Sequence, residues 1–432
     1  ALATGVAKFS DLFGLARVSV WLSMAVGLGC AEGVLILVSL KGNARDRQMA
    51  AYFRHLEWIE PNVTAAPEAL ASARSRRSSG QFPQAVVLAT AAVEGYRVLA
   101  GEFPELFSWQ LGQALFVKGD ILSDLFRHQE SILALQQAAD LLRGKPYPYS
   151  RTARSVRKYL GPLTDPGPLP PARDLAGVWH QVDQQRYLKQ ANPASEAEQR
   201  HLLGACLHTL GLELTRADRP ADALPVAAEA LEVFRCLPAE QAAQANCLAV
   251  LLDAHEDVGN LAMACVLGAE LIARYQDLTH DEPGQFDFDL AMTLGSHGAT
   301  LLRLGEETNT PRRLNGAARA LGTAIDLLRI SSDLTRDVSL ANALINAARA
   351  AGNADDPARA QPLISEAVGL CREMNRLAAF KASYLGIPRP LHSERLVRAL
   401  LTQREVFVAL GQDAKAAETD SEIAACLRPD GV

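Results

Sequence analysis

The chain predicts an all-α fold of stacked helical hairpins, and three observations carry that reading. Apolar residues fill 49% of 432 positions while aromatics supply only 6%, a mixture suited to helices packed through small side chains rather than to a β-sandwich. A two-helix unit recurs about every 41 to 46 residues; in its clearest copy Gly211 is followed after twelve residues by Ala223, after seven more by Ala230, and then by Phe234. Such a period marks a repeat architecture in which each hairpin buries its apolar face against the next. Finally, residues 144–173 hold seven prolines and no sustained apolar period, which excludes long helices there and divides the solenoid into two segments.

Residues 1–65 follow other rules. Val18–Leu40 is 23 residues long with Glu32 as its one charge, enough to cross a bilayer as a helix. Arg17 before it and Lys41, Arg45 and Arg47 after it would leave the long C-terminal part in the cytoplasm. Against a span, Glu32 at mid-membrane is costly, and Gly27, Gly29 and Gly33 divide the stretch into two short helices that a solenoid end would bury. Both readings stand: buried helices, or a membrane span over residues 18–40. The chain opens on Ala1 without Met, which fits a fragment with a further domain upstream.

Gln48 to Ile59 reads as an amphipathic helix. Over residues 66–143 the hairpin spacing returns twice, as Ala73, Ala85 and Ala92 with Gly80 between the helices, and as Gly119, Ser131 and Ala138. Residues 144–173 are the linker, and Leu175–Gln190 is a helix feeding the second segment, residues 174–428. There Ser195 and Glu198 form a capping box ahead of the hairpin of Gly211. The next carries Ala264 and Tyr275, with Gly259 at its turn. A third uses Gly298, Ala317 and Ala324, with about seven residues added near Glu306–Thr310; Pro311 then restarts the helix at its first position. The fourth has Ala348, Ala360 and Ala367 behind Asp356-Pro357, and a weaker fifth runs through Gly411, Ala417 and Ala424.

These hairpins resemble tetratricopeptide repeats, in the longer-helix form common in actinobacterial regulatory and signalling proteins. The phrases LHTLGLELTRADRPADALPVAAEALEVFR and LFVKGDILSDLFRHQESILALQQAADLL carry the likeness, although Leu207 and Leu115 stand where that family often has Trp. The resemblance implies a right-handed solenoid whose first helices line a groove for a peptide or partner protein. Matched residue by residue, that face presents Arg74 and Arg77 early on. In the second segment it presents His208, Leu212, Arg216, Asn246, Asp253, Glu256, Asp257, Arg303, Asn342 and Arg349. The lysine/asparagine clamp by which some members hold a terminal carboxylate has no counterpart at the matched positions.

Charge is unevenly divided. Residues 1–170 carry 18 Lys and Arg against 14 Asp and Glu, whereas residues 171–432 carry 25 against 35. The acidic second half disfavours nucleic acid as a partner. Seven cysteines form no CxxC pair, so the expectation is a reducing compartment without a disulfide framework. No phosphate-binding glycine loop, HExxH helix or calcium-loop order occurs. The reading is therefore a non-enzymatic interaction scaffold or sensor with no cofactor or metal. It is cytoplasmic, or, as the alternative, a membrane-anchored adaptor with its repeats in the cytosol.

Overall fold

The computed structural model describes residues 44–144, 195–333, 335–385 and 394–427. Val18–Leu40, most of the proline-rich stretch and Leu175–Gln190 lie outside them. Fourteen helices and no strand occur among the described residues. They are α1 (Ala44–Ser78), α2 (Phe82–Glu102), α3 (Pro104–Asp124), α4 (His128–Arg143), α5 (Glu196–Arg216), α6 (Pro220–Arg235) and α7 (Gln241–Asp257). There follow α8 (Leu261–Asp281), α9 (Asp287–Thr308), α10 (Pro311–Ile330), α11 (Arg336–Asn353), α12 (Pro357–Leu385), α13 (Glu394–Ala409) and α14 (Asp413–Leu427). The chain divides into two compact units, residues 1–206 and 207–432. No helix of the described residues is long and apolar enough to cross a membrane.

Successive helices pack as antiparallel neighbours, and the spaced small residues are where they touch. Ala85, Ser131, Ala223, Ala264, Ala317 and Ala360, each near the start of a second helix, are fully buried. A Cβ on Gly119 would meet Leu135 at 2.7 Å, and one on Gly298 would meet Leu321 at 2.7 Å. Real side chains do not approach so closely, so these positions let the backbone of the first helix sit directly on its partner. Where Ser131 replaces the usual alanine, its hydroxyl donates to Gly119 O at 2.8 Å, which satisfies the polar atom the serine buries.

Each hairpin turns in the same way. A residue one or two positions past the first helix is left-handed: Gly80, Phe126, Asp218, Gly259, Asn309, Asp355 and Gly411. The next N–H reaches back five residues to a carbonyl of the helix end, as in Arg127 to Leu122 at 2.9 Å and Asn260 to His255 at 2.8 Å. This is the Schellman closure, which caps otherwise orphaned carbonyls. Glycine, asparagine and aspartate tolerate the conformation; Phe126, with φ 57° and its ring 82% exposed, does not do so without strain.

Two sequence expectations meet the structure in informative ways. Gln48–Ile59 is helical, as part of α1, which runs unbroken from Ala44 to Ser78 through Pro61 and Pro67. Buried Ile59, Val63, Ala66, Leu70 and Ala73 form one continuous helical stripe, and packing along it outweighs the hydrogen bonds the prolines remove. The seven added residues of the third hairpin are helical. They lengthen α9 and α10 by about one turn each, with Gly305 against Leu314 in the added layer, so the packing face keeps its direction. Ser195 N–H donates to Glu198 Oε2 at 2.6 Å and Glu198 N–H to Ser195 Oγ at 3.2 Å, closing the capping box.

Two stability measurements test this account. Gly119→Ala places a methyl inside the Leu135 contact and lowers stability by about 1–3 kcal/mol in chemical denaturation. Phe126→Gly releases left-handed strain without losing a buried contact and raises stability by about 1 kcal/mol.

Candidate functional site

In the second unit the first helices of successive hairpins share one face, α9 beside α11 and α11 beside α13. Several of the residues expected to line a groove tie neighbouring first helices together. His208 on α5 is half-buried and hydrogen-bonds the backbone of Asn246 on α7, while burial pushes its imidazole below its ordinary pKa. Glu256 on α7 accepts from Ser296 Oγ on α9 at 3.1 and 3.2 Å and from the Thr300 hydroxyl. Glu306 on α9 accepts from Arg349 Nη2 at 2.9 Å and from Asn353 Nδ2 at 2.8 Å, both on α11. Asn342 Oδ1 on α11 accepts from Arg395 Nε at 3.0 Å and Arg398 Nη2 at 2.8 Å, both on α13.

Other expected groove residues are differently placed. Arg216 pairs at 2.9 Å with Glu213 of its own helix, a carboxylate that is fully buried. Leu212 is half-buried. Arg303 is exposed and forms no ion pair or hydrogen bond among the described residues. In the first unit Arg74 is exposed, whereas Arg77 is committed to Asp120 and Asp124 of α3, the latter at 2.5 Å. Arg77 therefore braces α1 against α3.

Asp253, Glu256 and Asp257 gather at the C-terminal end of α7. Asp253 reaches solvent, yet the surrounding protein withdraws its carboxyl from bulk water; with Glu256 and Asp257 adding like charge, its pKa is pushed up to about 6. The negative pole of the α7 dipole lies at this end and acts in the same direction. Ionising Asp253 thus costs the folded state more than the unfolded chain.

Beside this acidic end the face opens into a cavity of about 260 Å³. Ala291, Met292, Gly295, Ser296 and Ala299 of α9 form one wall, Ser339, Asn342, Ala343 and Asn346 of α11 the other, with Leu328 and Arg398 closing it. A second cavity of about 390 Å³ is lined by Asn342, Glu394, Arg395 and Arg398. The space exists because α9 repeats small residues every fourth position, at Ala291, Gly295 and Ala299, which removes side-chain volume from a single helical stripe. That spacing was present in the sequence but lies one face away from the hairpin packing pattern. Arg395 and Arg398, absent from the sequence-derived set, follow residues 386–393, where the repeat spacing gives no register. Among the described residues no cluster of three or more His, Cys, Asp or Glu is arranged to hold a metal ion.

No family model and no curated relative matches this chain. Several solved structures do. The fold they share is an array of packed helical hairpins. The apo form of the quorum sensor NprR from B. thuringiensis is 12% identical, covers 97% of this chain and 99% of its own, and has a TM-score of 0.40. BtubC from P. vanneervenii is 13% identical over 60% of this chain and 94% of its own, at 0.38. A kinesin light chain protein with nearly identical repeats, from Podosopora anserina, is 14% identical over 51% and 92%, at 0.37. These are likenesses of helical-repeat architecture, and they carry nothing about the site.

The Asp253 environment fixes a pH dependence. A carboxyl raised above its ordinary 3.8 to about 6 penalises folding above that window and has no effect below it. Asp253→Asn therefore raises the melting temperature well above pH 6, and the gain fades as pH falls toward 3.8. An equal gain at both ends would show that the carboxylate is not the cause.

Proposed function

We propose that this chain is a non-catalytic interaction module, a scaffold or sensor segment that holds a peptide or partner protein along the first-helix face of residues 207–432. The observation that supports it is the 260 Å³ cavity on that face. Its walls of small residues admit a partner's side chain, and Asn342, Asn346, Ser296 and Arg398 offer polar contacts around it. The acidic end of α7 lies to one side, joined to the cavity through Ser296, and the arginines of α13 lie on the other. A partner segment with positive charge at one end and negative charge at the other complements this order. The module needs no cofactor in this reading, and its acidic surface disfavours nucleic acid.

Selection of peptides from a displayed random library, followed by hydrogen exchange of the complex, tests the assignment. Protection is expected over 291–299 and 339–346; protection confined to the second helices α10 and α12 would remove the groove. Asp253→Lys with Asp257→Lys is expected to weaken a selected cationic peptide about tenfold. Glu256 is unsuitable for charge reversal, because its carboxylate holds Ser296 and Thr300 of α9.

A further inference from the structure

The cavity of about 260 Å³ between α9 and α11 is low-walled. Along α9, Ala291, Gly295 and Ala299 recur at every fourth position and put no more than a methyl group into the space. A Cβ on Gly295 meets nothing within 4 Å, so the helix backbone itself forms part of the wall. Ala343 lies opposite on α11, and Leu328, 1% exposed, closes the space from α10. Two opposed helix surfaces with such short side chains bound a slot, and a planar group can meet both at van der Waals distance. A cavity of about 150 Å³ holds a benzene ring, so this one takes a substituted ring with space to spare.

Three groups at the slot interact with a ring in ways that an aliphatic side chain leaves unused. Met292 is 43% exposed, a large apolar side chain left partly in water on the cavity wall, and a thioether against a ring edge is favourable. Arg398 Nη2 donates to Asn342 Oδ1 at 2.8 Å, which tethers the guanidinium at the cavity. The arginine forms no ion pair among the described residues, and a guanidinium plane stacks well on an aromatic face. Asn346 lines the same cavity, and its side chain makes no hydrogen bond among the described residues. Its amide is therefore available to the polar hydrogen that a tyrosine carries at the end of its ring.

We propose that the slot between α9 and α11 seats one tyrosine side chain of the partner, stacked against Arg398 and Met292 and hydrogen-bonded to Asn346. The apolar walls cover the ring, and the amide meets the one atom of the side chain that still needs a partner. The inference rests on the groove reading and deepens it by naming the residue that anchors the partner in the interior of its sequence.

Ligand-observed NMR titration of the full chain with N-acetyl-tyrosinamide, N-acetyl-phenylalaninamide and N-acetyl-leucinamide tests it. These neutral probes differ only in the side chain. The phenylalanine amide is expected to bind about fivefold tighter than the leucine amide, and the tyrosine amide about fivefold tighter again. Asn346→Leu erases the preference for tyrosine over phenylalanine and keeps that for phenylalanine over leucine. Arg398→Gln keeps a donor for Asn342 but removes the cation, and cuts the phenylalanine-over-leucine preference about threefold. Gly295→Leu fills the slot and abolishes binding of all three; leucine is the better helix former and its Cβ meets no neighbour, so the variant stays folded. Equal binding of the phenylalanine and leucine amides, or undiminished binding to Gly295→Leu, overturns the slot. A selected peptide that protects 291–299 and 339–346 yet tolerates alanine at every aromatic position sinks this inference and leaves the groove reading standing. Specific binding of the tyrosine amide without capture of any peptide from the library sinks the groove reading and leaves the slot.

Discussion

Close approach of paired helices through residues with little or no side chain is the constraint on which everything else in this molecule depends. Gly119 rests on Leu135 and Gly298 on Leu321, at separations that leave no room for a methyl group. The alanines opposite are wholly buried. Small residues contribute little apolar area each, and their value lies in letting two backbones come near enough for the larger neighbours to interlock. Leu99, Leu135, Leu207, Leu248 and Phe234 then fill the joints. A chain with few aromatics can build a core this way because the core is distributed, one joint per hairpin.

Once hairpin packing is fixed, polar residues on the helix surfaces acquire definite neighbours. On the second helices, arginines reach the next second helix: Arg329 to Glu366 at 2.6 Å and Arg372 to Glu422 at 2.5 Å. These are exposed pairs and contribute little individually. On the first-helix face amides and hydroxyls join the bridges beside one further exposed pair, Arg349 with Glu306. Glu256 with Ser296 and Thr300, and Glu306 with Arg349 and Asn353, hold successive first helices in register. The same residue types that mark a binding face in the sequence thus also serve the solenoid itself. Small side chains on α9 leave a cavity beside these bridges.

The third hairpin shows how a repeat tolerates added residues. Seven residues are nearly two helical turns, so one turn on each helix lengthens the hairpin without rotating its packing face. The added contact of Gly305 with Leu314 extends the joint rather than distorting it. A different number would have turned the apolar stripe away from its neighbour.

The sequence by itself determined the hairpins, their turns and their joints, because those depend on local spacing. Ala223 and Ala230 must share a face of one helix, with Gly211 on the other helix of the hairpin, Pro311 and Pro357 must open helices, and Gly80, Gly259 and Gly411 must follow the first helices. It also placed His208, Asn246, Asp253, Glu256, Arg303, Asn342 and Arg349 on first helices, since repeat register alone sets that. Only the tertiary structure decided which of them are occupied. Whether Arg349 faces solvent or Glu306 is set by the stagger of α9 against α11, across a sequence separation of 43. The convergence of Arg395 and Arg398 on Asn342, across 53 and 56 positions, is likewise invisible to spacing within a helix. The continuity of α1 through Pro61 and Pro67 is of the same kind: local rules favour a break there, and burial of one stripe from Ile59 to Ala73 against neighbouring helices overrides them.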